Sequence, residues 1–386
     1  MSRIDDLIAE YCPDGVKHQT LGEIGEFIRG NGIQKRDFQD SGFGCIHYGQ
    51  IYTYYGLFAD HTKSFIDPNL AEKRKKAYKG DLVIATTSEN EEDVCKACAW
   101  LGEEPIAISG DAYIFRHHQN PKYISYCFQS ELFQSQKKKY ITGTKVLRVN
   151  GDAMAKIHVP VPPLPVQEEI VRILDSFSSL EAELEAELEA RRKQYTHYRD
   201  ELLKFERVLI ASLGELCKIS VGRKNGTAGE FGEYPYVNAG TSMSGFVNEW
   251  SEEGDCVTTP SRGQGGMGFV AYQASRFWCG PLCYVMRSKH SDVMIKYVYY
   301  YLCSHKADIL GLVHEGGTPA INKSELAGLR ILVPPFEEQQ RIVSILDRFD
   351  KLTNDLSSGL PAEIEARHKQ YEYYRDRLLS FDELAV

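Results

Sequence analysis

Residues 161–177 read Val161-Pro162-Pro163-Leu164-Pro165-Val166-Gln167-Glu168-Glu169-Ile170-Val171-Arg172-Ile173-Leu174-Asp175-Ser176-Phe177. Residues 333–349 read Val333-Pro334-Pro335-Phe336-Glu337-Glu338-Gln339-Gln340-Arg341-Ile342-Val343-Ser344-Ile345-Leu346-Asp347-Arg348-Phe349, identical at ten of the seventeen positions. Further on, Glu189-Ala190-Arg191-Arg192-Lys193-Gln194-Tyr195-Thr196-His197-Tyr198-Arg199-Asp200 returns as Glu365-Ala366-Arg367-His368-Lys369-Gln370-Tyr371-Glu372-Tyr373-Tyr374-Arg375-Asp376, each copy ending in a Leu-Leu pair two residues later. A duplication of this quality sets the architecture before any single element is assigned.

Both copies carry a helical period. Apolar residues fall at Ile173, Phe177, Leu180, Leu184, Leu188, Tyr195, Tyr198 and Leu202, in steps mostly of three and four. The Pro-Pro pair before each copy ends a preceding strand and permits a helix start. Leu180–Ala190 is a period-four tandem of Leu-Glu-Ala-Glu, a stutter that unwinds a coiled coil locally without breaking it. The second copy is longer by four residues, which coincide with Ser357-Ser358-Gly359-Leu360-Pro361, so one helix should end there and another begin with Pro361 in its first turn.

The segments between the copies are related more faintly. Leu21-Gly22-Glu23 corresponds to Leu213-Gly214-Glu215, Gly80-Asp81 to Gly254-Asp255, and Gly143-Thr144 to Gly317-Thr318. Short apolar runs at 82–84, 113–115, 269–272 and 283–286 read as strands among glycine-rich turns, with helices near 121–133 and 295–302. The expected fold is α+β: two similar mixed α/β blocks at 1–160 and 206–332, separated by long antiparallel helical regions at 161–205 and 333–386, with an approximate two-fold. A continuous helix over 178–203 would span roughly 40 Å at ~1.5 Å per residue.

Composition narrows the function. The 386 residues carry a net charge of −9, and most of that sits in the two helical regions (−8 together), leaving the blocks at −1 and 0. Neutral blocks can still present a basic face, so nucleic-acid binding stays open. No apolar run approaches the ~18 residues of a membrane span and the start lacks an apolar signal segment, which points to a cytoplasmic chain. Ten scattered cysteines suit reduced, buried thiols. Cys95/Cys98 and Cys279/Cys283 could be half zinc sites, but neither has a matching ligand pair at zinc-finger spacing, and no metal is expected. No phosphate loop of the Gly-x4-Gly-Lys type occurs, since Gly263–Gly268 lacks the lysine. Catalytic residues are therefore absent from the expectation.

The order of parts resembles the specificity subunit of type I restriction–modification systems. The resemblance rests on the opening Ile4-Asp5-Asp6-Leu7-Ile8-Ala9-Glu10-Tyr11-Cys12-Pro13-Asp14-Gly15-Val16, the Leu-Gly-Glu pair, Val-Pro-Pro before each helix, and Arg-x-Lys-Gln-Tyr-x-x-Tyr-Arg-Asp in both copies. It implies a non-catalytic, DNA-binding subunit whose two target-recognition domains read a split duplex site with helices as the spacer. It also implies two methyltransferase and two restriction/translocase subunits as partners, adenine-N6 methylation by the assembly, and S-adenosylmethionine, ATP and Mg held by those partners only. The Asn/Asp-Pro-Pro-Tyr/Phe motif of adenine methyltransferases is absent from this chain. Two other readings stay open: a coiled-coil adaptor binding other proteins, and a recognition module of a different restriction–methylation enzyme.

DNA contacts are expected from polar residues in glycine-marked loops, where backbone and side chains can approach phosphates and base edges. In the first block these are Arg29, Asn31, Gln34, Lys35, Arg36, His47, Tyr48, Gln50, Lys137, Lys138 and Lys139. In the second they are Arg223, Lys224, Asn225, Asn238, Thr241, Ser261, Arg262 and Thr318. The Lys73–Lys76 run reads as a solvated helix face or a phosphate contact. In the helical motif the tyrosines should pack inward. Arg191, Lys193, Gln194, Arg199, Arg367, Lys369, Gln370 and Arg375 should form an outward rim for partner subunits.

Overall fold

A computed structural model describes residues 3–223, 228–314, 316–355 and 357–384. The chain divides into two compact units, Met1–Glu183 with Glu365–Val386, and Leu184–Ile364. The first unit is thus discontinuous in sequence: the end of the chain returns to complete it.

In the first unit a five-stranded sheet runs in the order Gly25–Arg29, Ala112–His117, Leu82–Ala85, Lys96–Trp100, Phe58–Ala59. The first four strands are antiparallel and only the last pairing is parallel. Leu82–Ala85 is buried on both faces, which is why it reads as an unbroken apolar run. A second sheet places Phe43–Ile46 parallel to Ile106–Ile108, with Ser64–Ile66 and Lys76–Ala77 at its edges. The second unit repeats this arrangement. Cys217–Val221, Cys283–Ser288, Cys256–Pro260 and Ala271–Gln273 form an antiparallel sheet in that order. Tyr234–Val237 again lies parallel to Trp278–Cys279.

Helix α1 (Pro121–Gln129) covers the first sheet, and Ser130 separates it from the helix Glu131–Lys137. The 121–133 region is therefore two helices rather than one, because the Ser130 hydroxyl accepts the Phe133 N–H and caps the second. Helix α2 (Leu164–Leu202) is continuous for 39 residues. Its early turns belong to the first unit and its later turns to the second. Helix α3 (Ile295–Ser304) is the counterpart of α1. Helices α4 (Phe336–Asn354) and α5 (Leu360–Leu378) are separated at the Ser-Gly stretch, with Pro361 in the first turn of α5. The strand expected at 269–272 begins instead at Ala271, since Gly268 takes φ +76° and Phe269 closes a turn onto Gly266.

The duplicated motifs bind each sheet domain to its helix. In the first unit buried Gln167 accepts the Asn120 N–H at 3.0 Å and donates to the Pro162 carbonyl at 2.7 Å. Asp175 accepts from Lys122 at 2.7 Å and from the Tyr126 hydroxyl at 2.8 Å, both on α1. In the second unit Gln339 accepts the Met294 N–H at 2.9 Å and donates to Pro334, also at 2.9 Å. Asp347 holds Lys296 and Tyr300 of α3 at 2.8 and 2.6 Å. The far end of each domain helix meets the other motif. Asp376 of α5 accepts the Glu131 N–H and Tyr371 donates to Gln129, while Asp200 of α2 accepts the Ser304 hydroxyl. Each domain is therefore gripped by the first motif of one copy and the second motif of the other. In the first unit α2 and α5 run antiparallel, with Phe177 stacked on Tyr374 and Glu181 bonded to His368.

The cysteines behave as core residues: nine are buried and Cys303 is half-buried. Burial pushes the Cys95 and Cys98 thiols up to about 12, which keeps them protonated. Among the described residues no cluster of His, Cys, Asp and Glu could hold a metal ion.

Candidate nucleic-acid interface

Three segments converge at the same sheet end in each unit. The first is the loop leaving the first sheet strand. Its glycine is required by close packing of backbone on backbone: a Cβ on Gly30 would lie 2.2 Å from the Ser109 carbonyl oxygen, and one on Gly222 2.0 Å from that of Gly280. The hydrogen bonds repeat as well. Gly30 and Asn31 donate to Ala112 and Ile108, and Gly222 and Arg223 donate to Cys283 and Cys279.

The second segment follows the central strand (Thr86–Ser88, Ser261–Gly263). The third is a small hairpin closed by the Thr142–Arg148 bridge in the first unit and by His314–Ala320 in the second. Arg148 pairs with Thr87 and Ala320 with Arg262, so the hairpins occupy equivalent places. In the first unit the segments enclose a cleft of about 280 Å³ lined by Arg29, Thr87, Asp111, Thr142 and Arg148 among others. Arg148 was not among the sequence candidates. The Gly143-Thr144/Gly317-Thr318 correspondence was the signal that could have found it, because it places both hairpins.

Of the first-block candidates, Arg29, Lys35 and Arg36 are exposed, and Arg29 donates from Nε to the Gly110 carbonyl at 3.1 Å. Asn31 is a bracket rather than a free reader. Its amide nitrogen donates to the Lys73 carbonyl at 3.1 Å and its oxygen accepts the Lys75 N–H at 2.8 Å. That bracket draws the Lys73–Lys76 run beside the Lys35–Arg36 turn. Gln34 is exposed and its N–H donates to Asp37. Lys138 and Lys139 are exposed, Lys138 beside Glu91 at 3.3 Å.

Three first-block expectations are corrected. Lys137 is fully buried and donates to the carbonyls of Glu91, Glu92 and Val94, so it closes an acidic loop from inside. Burial holds its amine below the usual lysine range. His47 is buried and caps a helix, its Nδ1 accepting the Gly49 N–H; burial, followed by the Lys35 charge, lowers its basicity. Gln50 completes that cap and donates to Ser64 at 2.7 Å. Tyr48 keeps its place as a candidate: it is half-buried, its ring is tilted beside His47, and its backbone N–H donates to Ser109.

In the second block Arg223, Thr241, Arg262 and Thr318 are exposed. Ser261 is half-buried and held by backbone bonds with Leu282 and Ile321. Asn238 is a structural residue, its Oδ1 accepting the Leu282 N–H at 3.0 Å. Lys224 and Asn225 lie outside the described residues.

The helical rim divides in two. Lys193 and Lys369 are exposed and paired to Glu189 and Glu365 one turn earlier. Arg191 contacts Glu187 and Gln194, and Arg367 contacts Gln370, along the helix surface. Arg199 and Arg375 are corrected. Their side chains are only 16 % and 13 % exposed, each paired to the following aspartate and lying over the Tyr195 or Tyr371 ring. They hold the clamp on the domain helix and do not face outward. The tyrosines pack inward as expected for Tyr195 and Tyr371, whereas Tyr198 stays 44 % exposed although it stacks on Phe349.

Two related domains on repeated helices, with different residues at their equivalent loop edges, are the frame in which the candidate interface sits. The sequence profile described as "Type I restriction modification DNA specificity domain" matches twice, over residues 13–190 and 208–366. The chain belongs to that family, the specificity component of type I restriction–modification systems. It is 35% identical over 273 residues to the specificity subunit of the Escherichia coli type I restriction enzyme EcoR124I/EcoR124II, covering 60% of this chain and 65% of that one. It is 32% identical over 208 residues to the MpnII specificity subunit of Mycoplasma pneumoniae, covering 50% of this chain and 62% of that one. The match thus spans less than two thirds of either relative's length. In fold it resembles the S subunit of a type I system from M. genitalium, with TM-score 0.62, 14% identity, and coverage of 94% of this chain and 96% of that one.

Proposed function

We propose that the chain is the DNA-specificity subunit of a type I system in which each unit reads one half of a bipartite duplex target. The observation that carries this reading is the contrast between scaffold and edge. The two domains share sheet order, the glycine of the first loop and the Gln/Asp anchor, yet at equivalent edge positions Arg29 stands against Val221, Thr87 against Arg262, and Arg148 against Ala320. A shared frame with divergent contact residues is what two different half-sites require. In this reading adenine-N6 methylation belongs to docked methyltransferase subunits and DNA translocation and cleavage to restriction subunits. These partners would bring S-adenosylmethionine, ATP and Mg. The exposed Lys193 and Lys369 and the half-buried Arg191, Gln194, Arg367 and Gln370 belong to the docking surface in this reading, and the complex works in the cytoplasm where host DNA lies.

Base-resolution mapping of N6-methyladenine in host DNA, with and without this gene, is the test. Loss of one split motif with a methylated adenine on each strand across a fixed gap is the expected result. No change of any motif while the methyltransferase is expressed would refute the reading.

A further inference from the structure

The two units differ in charge at one equivalent edge, and this bears on how the subunit holds DNA. In the first unit Lys76 and Ala77 pair with Ala107 and Ile106 at the margin of the second sheet. The residues just before them, Lys73, Arg74 and Lys75, are fastened to the first recognition loop by the two Asn31 hydrogen bonds. Gly32 tightens the join: it takes φ +58°, and a Cβ there would lie 2.8 Å from the Arg74 guanidinium. Lys35 and Arg36 sit on the single turn that follows. Lys35, Arg36, Lys73 and Lys75 are exposed, and among the described residues none of these or Arg74 makes an ion pair. The acids nearby make no ion pair with them among the described residues: Asp37 accepts the Gln34 N–H, Asp67 caps the helix before the run, and Glu72 and Asp40 are exposed. Elsewhere exposed cations are commonly paired, as at Lys79–Glu103, Lys193–Glu189 and Lys369–Glu365.

The matching margin of the second unit is acidic. Glu252 pairs with Phe277, the counterpart of the Ala77–Ile106 pairing, which aligns Arg74 and Lys75 with Glu249 and Trp250. Glu252 and Glu253 are neutralised by Arg287 and Arg276 at 3.3 and 3.0 Å, and Glu249 is exposed.

Resting on the proposed DNA-binding function, we propose that the sequence-independent grip on the phosphate backbone is supplied unequally: the ridge Lys35–Arg36/Lys73–Lys75 of the first unit clamps the duplex backbone, and among the described residues the matching margin of the second unit offers no such run of unpaired cations. Unpaired lysines and arginines fixed to the loop that addresses the bases are what phosphate neutralisation requires. Each phosphate contact contributes a slope of about −0.9 to log K against log salt. An affinity concentrated in one unit leaves the other to contribute through base contacts and shape.

The test uses the full chain, alone and with its methyltransferase subunit, and a fluorescent 40-base-pair duplex of arbitrary sequence titrated by anisotropy from 50 to 200 mM salt. The probe needs no knowledge of the target because phosphate contacts ignore sequence. The variant Lys35→Gln/Arg36→Gln/Lys73→Gln/Lys75→Gln should shallow the salt slope by about 2 or more and weaken binding at least tenfold at 50 mM salt. Glu249→Lys should tighten binding and steepen the slope by about 1. The single variants Lys35→Gln and Lys75→Gln, each expected to shallow the slope by about 1, replace the quadruple one if that chain does not fold. Slope changes below half these values while the wild-type chain binds duplex would overturn the clamp and leave the DNA-binding function standing. A wild-type complex that binds no duplex at 50 mM salt would overturn both.

Discussion

Gln339 is the point where the second recognition domain is most exposed to a single change. Its amide is 1 % exposed and makes three hydrogen bonds: from Met294 N–H at 2.9 Å, to the Asp292 carbonyl at 3.1 Å and to the Pro334 carbonyl at 2.9 Å. Gln339→Leu keeps most of the volume and removes all three. Each bond contributes a net ~1 kcal/mol, and a buried backbone group left without a partner costs about 1–3 kcal/mol. Some strain is relieved by local movement, so the expected loss is about 3–4 kcal/mol. For a unit of this size that lowers its melting temperature by roughly 10 °C. Gln339→Glu, which sets a carboxylate against two carbonyls, should cost at least as much. The assay is thermal unfolding followed by tryptophan fluorescence in a Trp100→Phe background, where Trp250 and Trp278 report on the second unit alone. Gln167→Leu, read through Trp100 with the other two tryptophans replaced, should do the same to the first unit, because its bonds to Asn120, Gln119 and Pro162 span 2.7–3.0 Å. A loss under 1 kcal/mol for both leucine variants would refute the idea that the repeated glutamine anchors domain to helix.

Other expectations are as direct. Asp347→Ala should destabilise the second unit by about 1–2 kcal/mol, a value reduced for the roughly one-third exposure of Asp347 and Lys296, and should release the Tyr300 hydroxyl, whose ionisation burial, and after it the Asp347 hydrogen bond, push up; spectrophotometric titration of the tyrosines follows that release. Lys137→Met should leave duplex affinity and its salt slope unchanged while lowering stability by about 2–3 kcal/mol, since three carbonyls lose their donor; a weakened DNA complex with unaltered stability would restore Lys137 to the interface. Gly30→Ala and Gly222→Ala should each reduce soluble folded protein severely, as the new Cβ would meet a backbone oxygen near 2 Å; near-wild-type melting would contradict the packing described. His117, whose basicity burial lowers to about 4, is neutral in the fold, and the unfolded chain takes up its proton at an ordinary ~6.5. Its contribution is complete above about pH 6.5 and is lost as pH falls toward 4, to a limit of about 3 kcal/mol. A C2–H resonance missing in His117→Asn that titrates above pH 6 would be inconsistent with this.

Much of the architecture was legible because the duplication is strong. Val-Pro-Pro-x3-Gln and the Ile-Val-x-Ile-Leu-Asp that follows identified two helix starts, and the extra Ser-Gly-Leu-Pro stretch located the break between α4 and α5. The pairs Leu-Gly-Glu, Gly-Asp and Gly-Thr marked equivalent turns, and the two Leu-Gly-Glu sites close with the same capping box, Thr20/Glu23 and Ser212/Glu215. Local signals of this kind survive in a linear reading because turn and cap chemistry acts over three or four residues.

The candidate interface was only half legible. Loop membership offered Arg29, Lys35, Arg36, Arg223 and Arg262 as DNA contacts, and the structure leaves them exposed, but a polar residue in a glycine-rich loop is as easily spent on the loop itself. Asn31, His47, Gln50 and Asn238 hold backbone groups, and Lys137 holds three of them from inside. Arg148 and the Lys73–Lys75 run sit far from Arg29 and Asn31 in sequence and join them only through strand pairing and the Asn31 bracket. The same holds for Arg199 and Arg375: their helical spacing fits an outward stripe, yet ion pairing to the next aspartate and a tyrosine one turn back bring them against the domain helix.

By itself, then, the sequence determined that this protein is two related sheet domains on two related helical segments, because periodicity, caps and breakers are local and were copied together. Only the tertiary structure decided that each domain is held by both copies, the first motif of one and the second motif of the other. It also decided which polar side chains are spent on the fold and which stay exposed. Those outcomes depend on contacts between residues tens to hundreds of positions apart, and such contacts are set by burial and hydrogen-bond satisfaction in the packed chain.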